Sequence, residues 1–166
     1  MSTAPIADAA HSVLVVGGGD VAKALESFAT VLGWHAVIVD SLEATVAALP
    51  QAQSVVVLSH HDGVDGPAIA AALDVGTPYI GAMGSRKTQV RRRTWMLDNG
   101  VPEEQLARVH TPVGLDLGAN SPAEIALSIV AEMLAVQRGV TGGELRGRLG
   151  PIHPQLAPGT AECPAD

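Results

Sequence analysis

The stretch Val13-Leu14-Val15-Val16-Gly17-Gly18-Gly19-Asp20-Val21-Ala22 carries the strongest indication of the fold. Its four apolar residues predict a buried strand, and the glycines that follow open a helical segment. The glycines and Ala22 match the pattern G-x-G-x-x-G/A. In that pattern the first glycine permits a tight turn and the second lets a pyrophosphate approach the backbone, while the helix N-terminus points N–H groups at the anion.

Outward from this stretch, further β-branched runs alternate with Ala-rich helical segments, which is typical of βαβ units. The first four runs are almost wholly apolar, as strands covered by helices on both faces should be. We therefore predict an α/β fold, a single Rossmann-like three-layer domain with a mostly parallel sheet. The predicted strands are Val13–Val16, Ala36–Val39, Ser54–Leu58, Tyr79–Ala82 and Arg108–His110. The predicted helices are Val21–Leu32, Leu42–Leu49, Gly66–Leu73, Lys87–Asn99 and Pro122–Arg138.

Length and patterning predict three regions: an N-terminal extension (1–12), the Rossmann-like domain (13–141) and a Gly/Pro-rich tail (142–166). The 166 residues are 47% hydrophobic and 16% charged, which suits one core. A net charge of -7 and an aromatic share of 2% argue against nucleic-acid binding. Cys163 is the single cysteine, so no intrachain disulfide forms. Without a leader-like or membrane-spanning segment, we expect a cytoplasmic protein with no membrane insertion.

Asp40 ends the second run about 20 residues after the glycines, where an acid can accept hydrogen bonds from ribose hydroxyls. This pairing favours a nucleotide over a bare phosphate. Asp20, by contrast, places a negative charge where a phosphate would lie, although it suits the helix dipole. A purely structural glycine turn therefore stays open as the alternative.

Two further loops follow predicted strands and fall on the rim where parallel α/β sheets bind ligands. His60 lies just after the third run and is a candidate ligand contact, whereas a metal shared with the adjacent His61 is not expected. The segment Gly84-Ser85-Arg86-Lys87 opens the fourth helix and would form a second anion-binding corner. The arginines at 91–93 are interpreted as a solvated helix face. Asp116 either orients a ligand or holds its own backbone in an Asx turn.

These blocks together resemble the Rossmann domain of the XdhC/CoxI family, over residues from about 12 to 139. The similar segments are Val15 to Gly19 with Val21-Ala22, Ser59-His60, Tyr79 to Lys87, and His110 to Ala119 running on through Pro122 to Ala126. The family consists of accessory factors that mature molybdenum hydroxylases such as xanthine dehydrogenase and carbon monoxide dehydrogenase.

The resemblance implies a non-catalytic chaperone that binds the molybdenum cofactor, as molybdopterin or its cytosine dinucleotide form, during sulfuration and insertion. The implied partners are a target hydroxylase, a cysteine desulfurase supplying sulfur, and a separate chain supplying the family's N-terminal domain. From exposed apolar stripes on the predicted helices we also expect a homodimer. The alternatives are an NAD(P)-dependent oxidoreductase and a nucleotide-sensing regulatory module. No residue is assigned to catalysis or metal binding; the candidate cofactor-binding residues are Gly17, Gly18, Gly19, Asp40, His60, Gly84, Ser85, Arg86, Lys87 and Asp116.

Overall fold

A computed structural model describes residues 11–147 and 149, with only the backbone described at position 62. Strands and helices alternate along this part of the chain, with short 3-10 turns at Leu49–Gln51 and Leu145–Gly147. The strands are β1 Ser12–Val16, β2 His35–Val39, β3 Ser54–Val57, β4 Tyr79–Ala82 and β5 Val109–His110. The helices are α1 Asp20–Val31, α2 Leu42–Ala48, α3 Asp62–Asp74, α4 Arg86–Asp98, α5 Glu103–Leu106 and α6 Pro122–Gln137.

The strands form one five-stranded sheet in the order β2-β1-β3-β4-β5. Every pairing is parallel, and Val16 lies opposite both Val39 and Val57. The predicted fold class, a single Rossmann-like α/β domain, is therefore confirmed. The strand order reverses between β1 and β3, and ligands of such sheets bind outside the carboxyl ends of the strands at this switch point.

Alternation along the strands divides the core between the two faces of the sheet. Leu14 and Val16 point to one face, where they pack with residues from α2, α3 and α4. Val13 and Val15 point to the other face, where they pack against α1 and α6. The sheet is therefore the middle of three layers, with one packed core on each of its faces.

Three details differ from the sequence prediction. β2 is an edge strand with one partner, so Val37 is 40% exposed instead of buried. α3 begins four residues earlier than predicted, because the N–H groups of Val64 and Asp65 both bond to the carbonyl of His61. The short helix α5 was not predicted, since one turn is too short to show helical periodicity.

Within the part of the chain that the structure describes, no helix is both long and apolar enough to cross a membrane. Of the predicted tail, the structure describes residues 142–147 and 149. Cys163 lies outside the described residues.

Candidate ligand-binding site

Gly17 joins the carboxyl ends of three strands. Its N–H group donates to the carbonyl of Val39 at the end of β2, at 2.7 Å. Its φ is +107°, and a Cβ there would lie 2.5 Å from the backbone nitrogen of Ser59, after β3. Glycine is thus required here by backbone conformation and by close approach to a neighbouring strand. Because its N–H group is already bonded, Gly17 shapes the site, and the open part of the loop lies beyond it.

Gly18 and Gly19 form that open part. Among the described residues, no heavy atom lies within 4 Å of the position that a Cβ would take at either glycine. Gly19, with φ +105°, is the N-cap residue of α1, and no side chain caps this helix. The N-terminal N–H groups of α1 are therefore left for a ligand or for solvent.

A cleft with a volume of about 720 Å³ opens in front of this loop, at the switch point between β1 and β3. This volume lies within the range of small-molecule sites, roughly 300–1,000 Å³. The glycine loop, the end of β2, the loop after β3, the end of β4 and the start of α6 all contribute to its wall. The lining residues are Gly17, Gly18, Gly19, Asp20, Val21, Asp40, Leu58, Ser59, His60, His61, Met83 and Pro122.

The charges of this cleft are unusual for a phosphate site. The described lining residues include the carboxylates of Asp20 and Asp40 and the imidazoles of His60 and His61, but no lysine or arginine. The ammonium of Lys23 lies 3.9 Å from Asp20, with both side chains well exposed. An anion in the cleft would therefore be held mainly by backbone N–H groups. The carboxylate of Asp40 lines the same cleft, at the end of β2.

Beneath the cleft lies a residue that the sequence analysis misjudged. Arg92 is only 4% exposed, so the interpretation of residues 91–93 as a solvated face is wrong at this position. Its guanidinium pairs with Asp65 of α3, with 2.6 Å between Nη2 and Oδ2. The same group donates to the carbonyls of Ser59 and Met83. The helical spacing of Arg92 from the buried Met96 is the signal that could have identified it.

The residues of the predicted second anion-binding corner, Gly84 to Lys87, do not face one common space in the structure. Arg86 lines a second cleft of about 630 Å³, formed mainly by α4, α5 and the ends of β4 and β5. The hydroxyl of Ser85 caps α4 by accepting from the N–H of Thr88. Gly84 has φ +156° and packs against Thr88 and Arg92, while Lys87 is exposed. The structure therefore separates this group from the residues that line the glycine-loop cleft.

The segment after β5, which carries the exposed Asp116, is tied to α6 through Glu132. One carboxylate oxygen of Glu132 accepts from the hydroxyl of Tyr79 at 2.6 Å and from the N–H of Gly114 at 3.0 Å. The other oxygen lies 3.3 Å from the ring of His110. Burial, followed by the bond to Glu132, raises the pKa of Tyr79 above its usual value, so the tyrosine stays a neutral donor.

Among the described residues there is no group of three or more His, Cys, Asp or Glu side chains arranged to hold a metal ion. The candidate site is built instead from a glycine loop, an acid at the end of β2 and a polar loop after β3.

A parallel α/β sheet with a glycine loop at its switch point defines a Rossmann-like domain. More specifically, the profile of the XdhC Rossmann domain family matches residues 13–133, and the chain belongs to this family.

Similar proteins agree with this assignment. The uncharacterized protein YqeB of Escherichia coli is 28% identical over 86% of this chain and 30% of its own length. The molybdenum cofactor insertion chaperone PaoD of Escherichia coli is 29% identical over 75% of this chain and 40% of its own length. A probable xanthine dehydrogenase component of Bacillus subtilis is 35% identical over 51% of this chain and 24% of its own length. The chain thus spans less than half the length of each of these relatives.

A solved structure, of a xanthine dehydrogenase from Bacillus halodurans, matches with a TM-score of 0.62. It is 24% identical and covers 80% of this chain and 44% of its own chain. This likeness supports the fold.

Proposed function

We propose that this chain is an accessory factor for a molybdenum hydroxylase and binds the molybdenum cofactor before its insertion into the target enzyme. The observation that carries the proposal is the glycine-loop cleft at the switch point, in a chain that belongs to the XdhC Rossmann domain family. A relative named as a molybdenum cofactor insertion chaperone supports the same role.

Two features of the cleft support the binding of a phosphorylated pterin or its nucleotide form, although its described side chains carry no positive charge from lysine or arginine. The backbone of Gly18 and Gly19 faces open space, and the N-terminus of α1 is uncapped by a side chain. We assign the phosphate to this loop, and the ribose hydroxyls of a cytosine dinucleotide form to Asp40. Ser59 and His60 would contact the polar edge of the ligand. The cofactor supplies the molybdenum centre, and these residues hold and orient it.

The remaining candidate residues have a place in the proposal outside this cleft. Arg86, Lys87 and Asp116 lie on loops or helix starts that follow the carboxyl ends of β4 and β5. We propose that they contact a part of the ligand or of the target enzyme that extends beyond the cleft. Gly84 and Ser85 would act by shaping the turn that presents Arg86.

The partners and setting of this function are also proposals. They are a target hydroxylase, a cysteine desulfurase that provides the terminal sulfur ligand, and a separate chain that provides the family's N-terminal domain. We further propose that the protein is a homodimer in the cytoplasm. Co-purification with a molybdenum hydroxylase would support these assignments, and a monomer by light scattering at micromolar concentration would contradict the dimer.

A ligand panel tests the function. Thermal unfolding is measured anaerobically with isolated molybdenum cofactor, its cytosine dinucleotide form, CTP, NAD(H) and NADP(H). A ligand at 100 times its Kd stabilises the fold by about 2.7 kcal/mol, which raises the Tm by several degrees at this chain length. We expect the shift with a form of the molybdenum cofactor. A shift with NAD(H) or NADP(H) alone would overturn the proposal and favour an oxidoreductase, because Asp40 suits that ligand as well.

The variant Asp40→Asn refines this test. We expect it to weaken binding of the dinucleotide form about 10-fold, since a bidentate acceptor for ribose hydroxyls is lost, and to leave molybdopterin binding unchanged. Asp74→Asn is the matched control, because Asp74 is an exposed acid at the C-terminal end of α3. Equal effects of both variants would contradict the assignment of Asp40.

A further inference from the structure

We propose that Arg92 and Asp65 are positioning residues for the glycine-loop cleft, holding its loops after β3 and β4 in the arrangement that a ligand meets. The proposal rests on the ligand-binding role proposed above, and it assigns the affinity of the cleft partly to a buried pair that does not touch the ligand.

The contacts of the Arg92 guanidinium define this role. Nη2 donates to the carbonyl of Ser59 at 3.1 Å, and Nη1 donates to the carbonyl of Met83 at 2.5 Å. Ser59 follows β3 and Met83 follows β4, and both residues line the glycine-loop cleft. One side chain therefore joins the two loops from below.

Asp65 sets the orientation of this guanidinium. Its Oδ2 accepts from Nε at 3.2 Å and from Nη2 at 2.6 Å. The Asp65 and Arg92 side chains are 1% and 5% exposed, so the pair is shielded from solvent. Asp65 comes from α3 and Arg92 from α4, and these helices are in close contact where a Cβ on Gly66 would lie 2.5 Å from the ring of Trp95.

The chemistry of the pair favours positioning over simple stabilisation. Burying two charges has a desolvation penalty that often cancels their attraction, and apolar pairs of similar volume can be as stable or more so. A planar fork, however, donates from three separate nitrogens at fixed angles, and so reaches a carboxylate and two carbonyls that lie apart. An apolar side chain has no donor, and a lysine ammonium carries its three donors on a single nitrogen. Oδ1 of Asp65 is buried and lacks a hydrogen-bond partner among the described residues, so the pair is not arranged for maximal hydrogen bonding.

The turn above the pair is shaped to accommodate it. Nη1 of Arg92 lies 3.1 Å from the position of a Cβ on Gly84. Gly84 also has φ +156°, and its carbonyl accepts from the side chain of Gln89 at 3.1 Å. The guanidinium therefore supports the Met83–Ser85 turn from below, and a larger residue at position 84 would displace it.

The double variant Arg92→Met with Asp65→Leu separates positioning from stability. The apolar pair can fill the space between α3 and α4 but cannot bind the carbonyls. We expect cooperative unfolding with a Tm a few degrees below that of the wild type, because the carbonyls of Ser59 and Met83 lose their donor. We also expect at least a 10-fold rise in hydrogen exchange at the hydrogen-bonded amides of Ser59, His61 and Met83. The Kd for molybdenum cofactor should be at least 10-fold weaker. Wild-type exchange and wild-type affinity in a folded double variant would overturn the proposal.

Two further arms keep the test decisive. Arg93→Met is the matched control, because Arg93 is 53% exposed in the same helix and pairs with Glu103 at the surface. If the double variant does not fold, Arg92→Lys keeps the charge and loses the fork. Faster exchange confined to the two loops would then support positioning, and a uniform change across the protein would overturn it. Hydrogen exchange needs no ligand, so it tests the positioning role of Arg92 and Asp65 even if the wild type binds no member of the ligand panel. Such a lack of binding would overturn the proposed function and not the positioning role.

Discussion

Gly17 is the residue whose replacement gives the sharpest stability prediction. A Cβ at this position would meet backbone atoms of Ser59 at 2.5 and 2.8 Å, and its φ of +107° is unfavourable for any other residue. We expect Gly17→Ala to lower the free energy of unfolding by at least about 2 kcal/mol, from backbone strain and overpacking together. Denaturant unfolding measures this as a lower midpoint.

Gly18→Ala is the control for this prediction. A Cβ on Gly18 meets no atom of the described residues within 4 Å, and the φ of Gly18 is not in the left-handed region. The change should therefore alter stability by no more than about 0.5 kcal/mol. Equal destabilisation by the two variants would show that the close approach of β1 and β3 does not constrain Gly17.

Individual residues also show how much of the candidate site could be predicted from the sequence. The glycine pattern predicts the tight turn, and the φ of +107° at Gly17 agrees with it, because this feature follows from backbone conformation. It cannot show that the N–H of Gly17 is used by Val39, since this bond depends on the position of β2. Nor can it separate Arg92 from its two neighbours, because burial depends on the orientation of α4 against α3.

At the scale of elements, the clearest sequence signal is the start of α6. Ser121, Pro122 and Glu124 predict a capping box, and the structure contains both of its bonds. The four apolar runs are likewise found as strands, because buried parallel strands require such runs. The runs do not reveal which strand is at an edge. β2 reads like its neighbours, yet its pairing on one side alone leaves Val37 partly in solvent.

This capping box predicts a pH dependence. Hydrogen bonds from the backbone N–H groups of Ser121 and Asn120 lower the pKa of Glu124. A carboxyl with a lowered pKa in the folded state stabilises the protein above its unfolded pKa, and this contribution is lost as the pH falls through the folded value. We expect Glu124→Gln to reduce stability near neutral pH and to converge with the wild type in acid. Urea unfolding at several pH values measures the difference.

The control is Glu26→Gln, which neutralises an exposed acid in the interior of α1. It should not produce a difference that disappears on acidification. A Glu124→Gln variant that follows the wild type at a constant offset through the acid range would contradict the assigned role of the carboxylate, because a lost contact without titration gives no pH dependence.

At the scale of the whole molecule, the two cores belong to one continuous stretch of sequence. Every residue of both core clusters lies between Val13 and Met133, and the family match covers residues 13–133. The sequence predicts this single domain well, because its alternation of strands and helices is regular. The contacts of His11 could not be read from that alternation. Its carbonyl accepts from the N–H of His35, and its ring bonds to Ser54, so the ordered fold begins before the first apolar run.

We therefore propose that residues 11–141 form an independent folding unit. A fragment with these bounds keeps both cores and the contacts of His11, and tolerance to truncation depends on the burial and hydrogen bonding of what is removed. The loss includes the approach of Gly142 to the side chain of Leu115. We expect one cooperative thermal transition within a few degrees of the full chain, and the same shifts in the ligand panel. A fragment with native far-UV but lost near-UV circular dichroism would contradict this, because it would show that residues outside 11–141 are needed to fix the packing of the two cores.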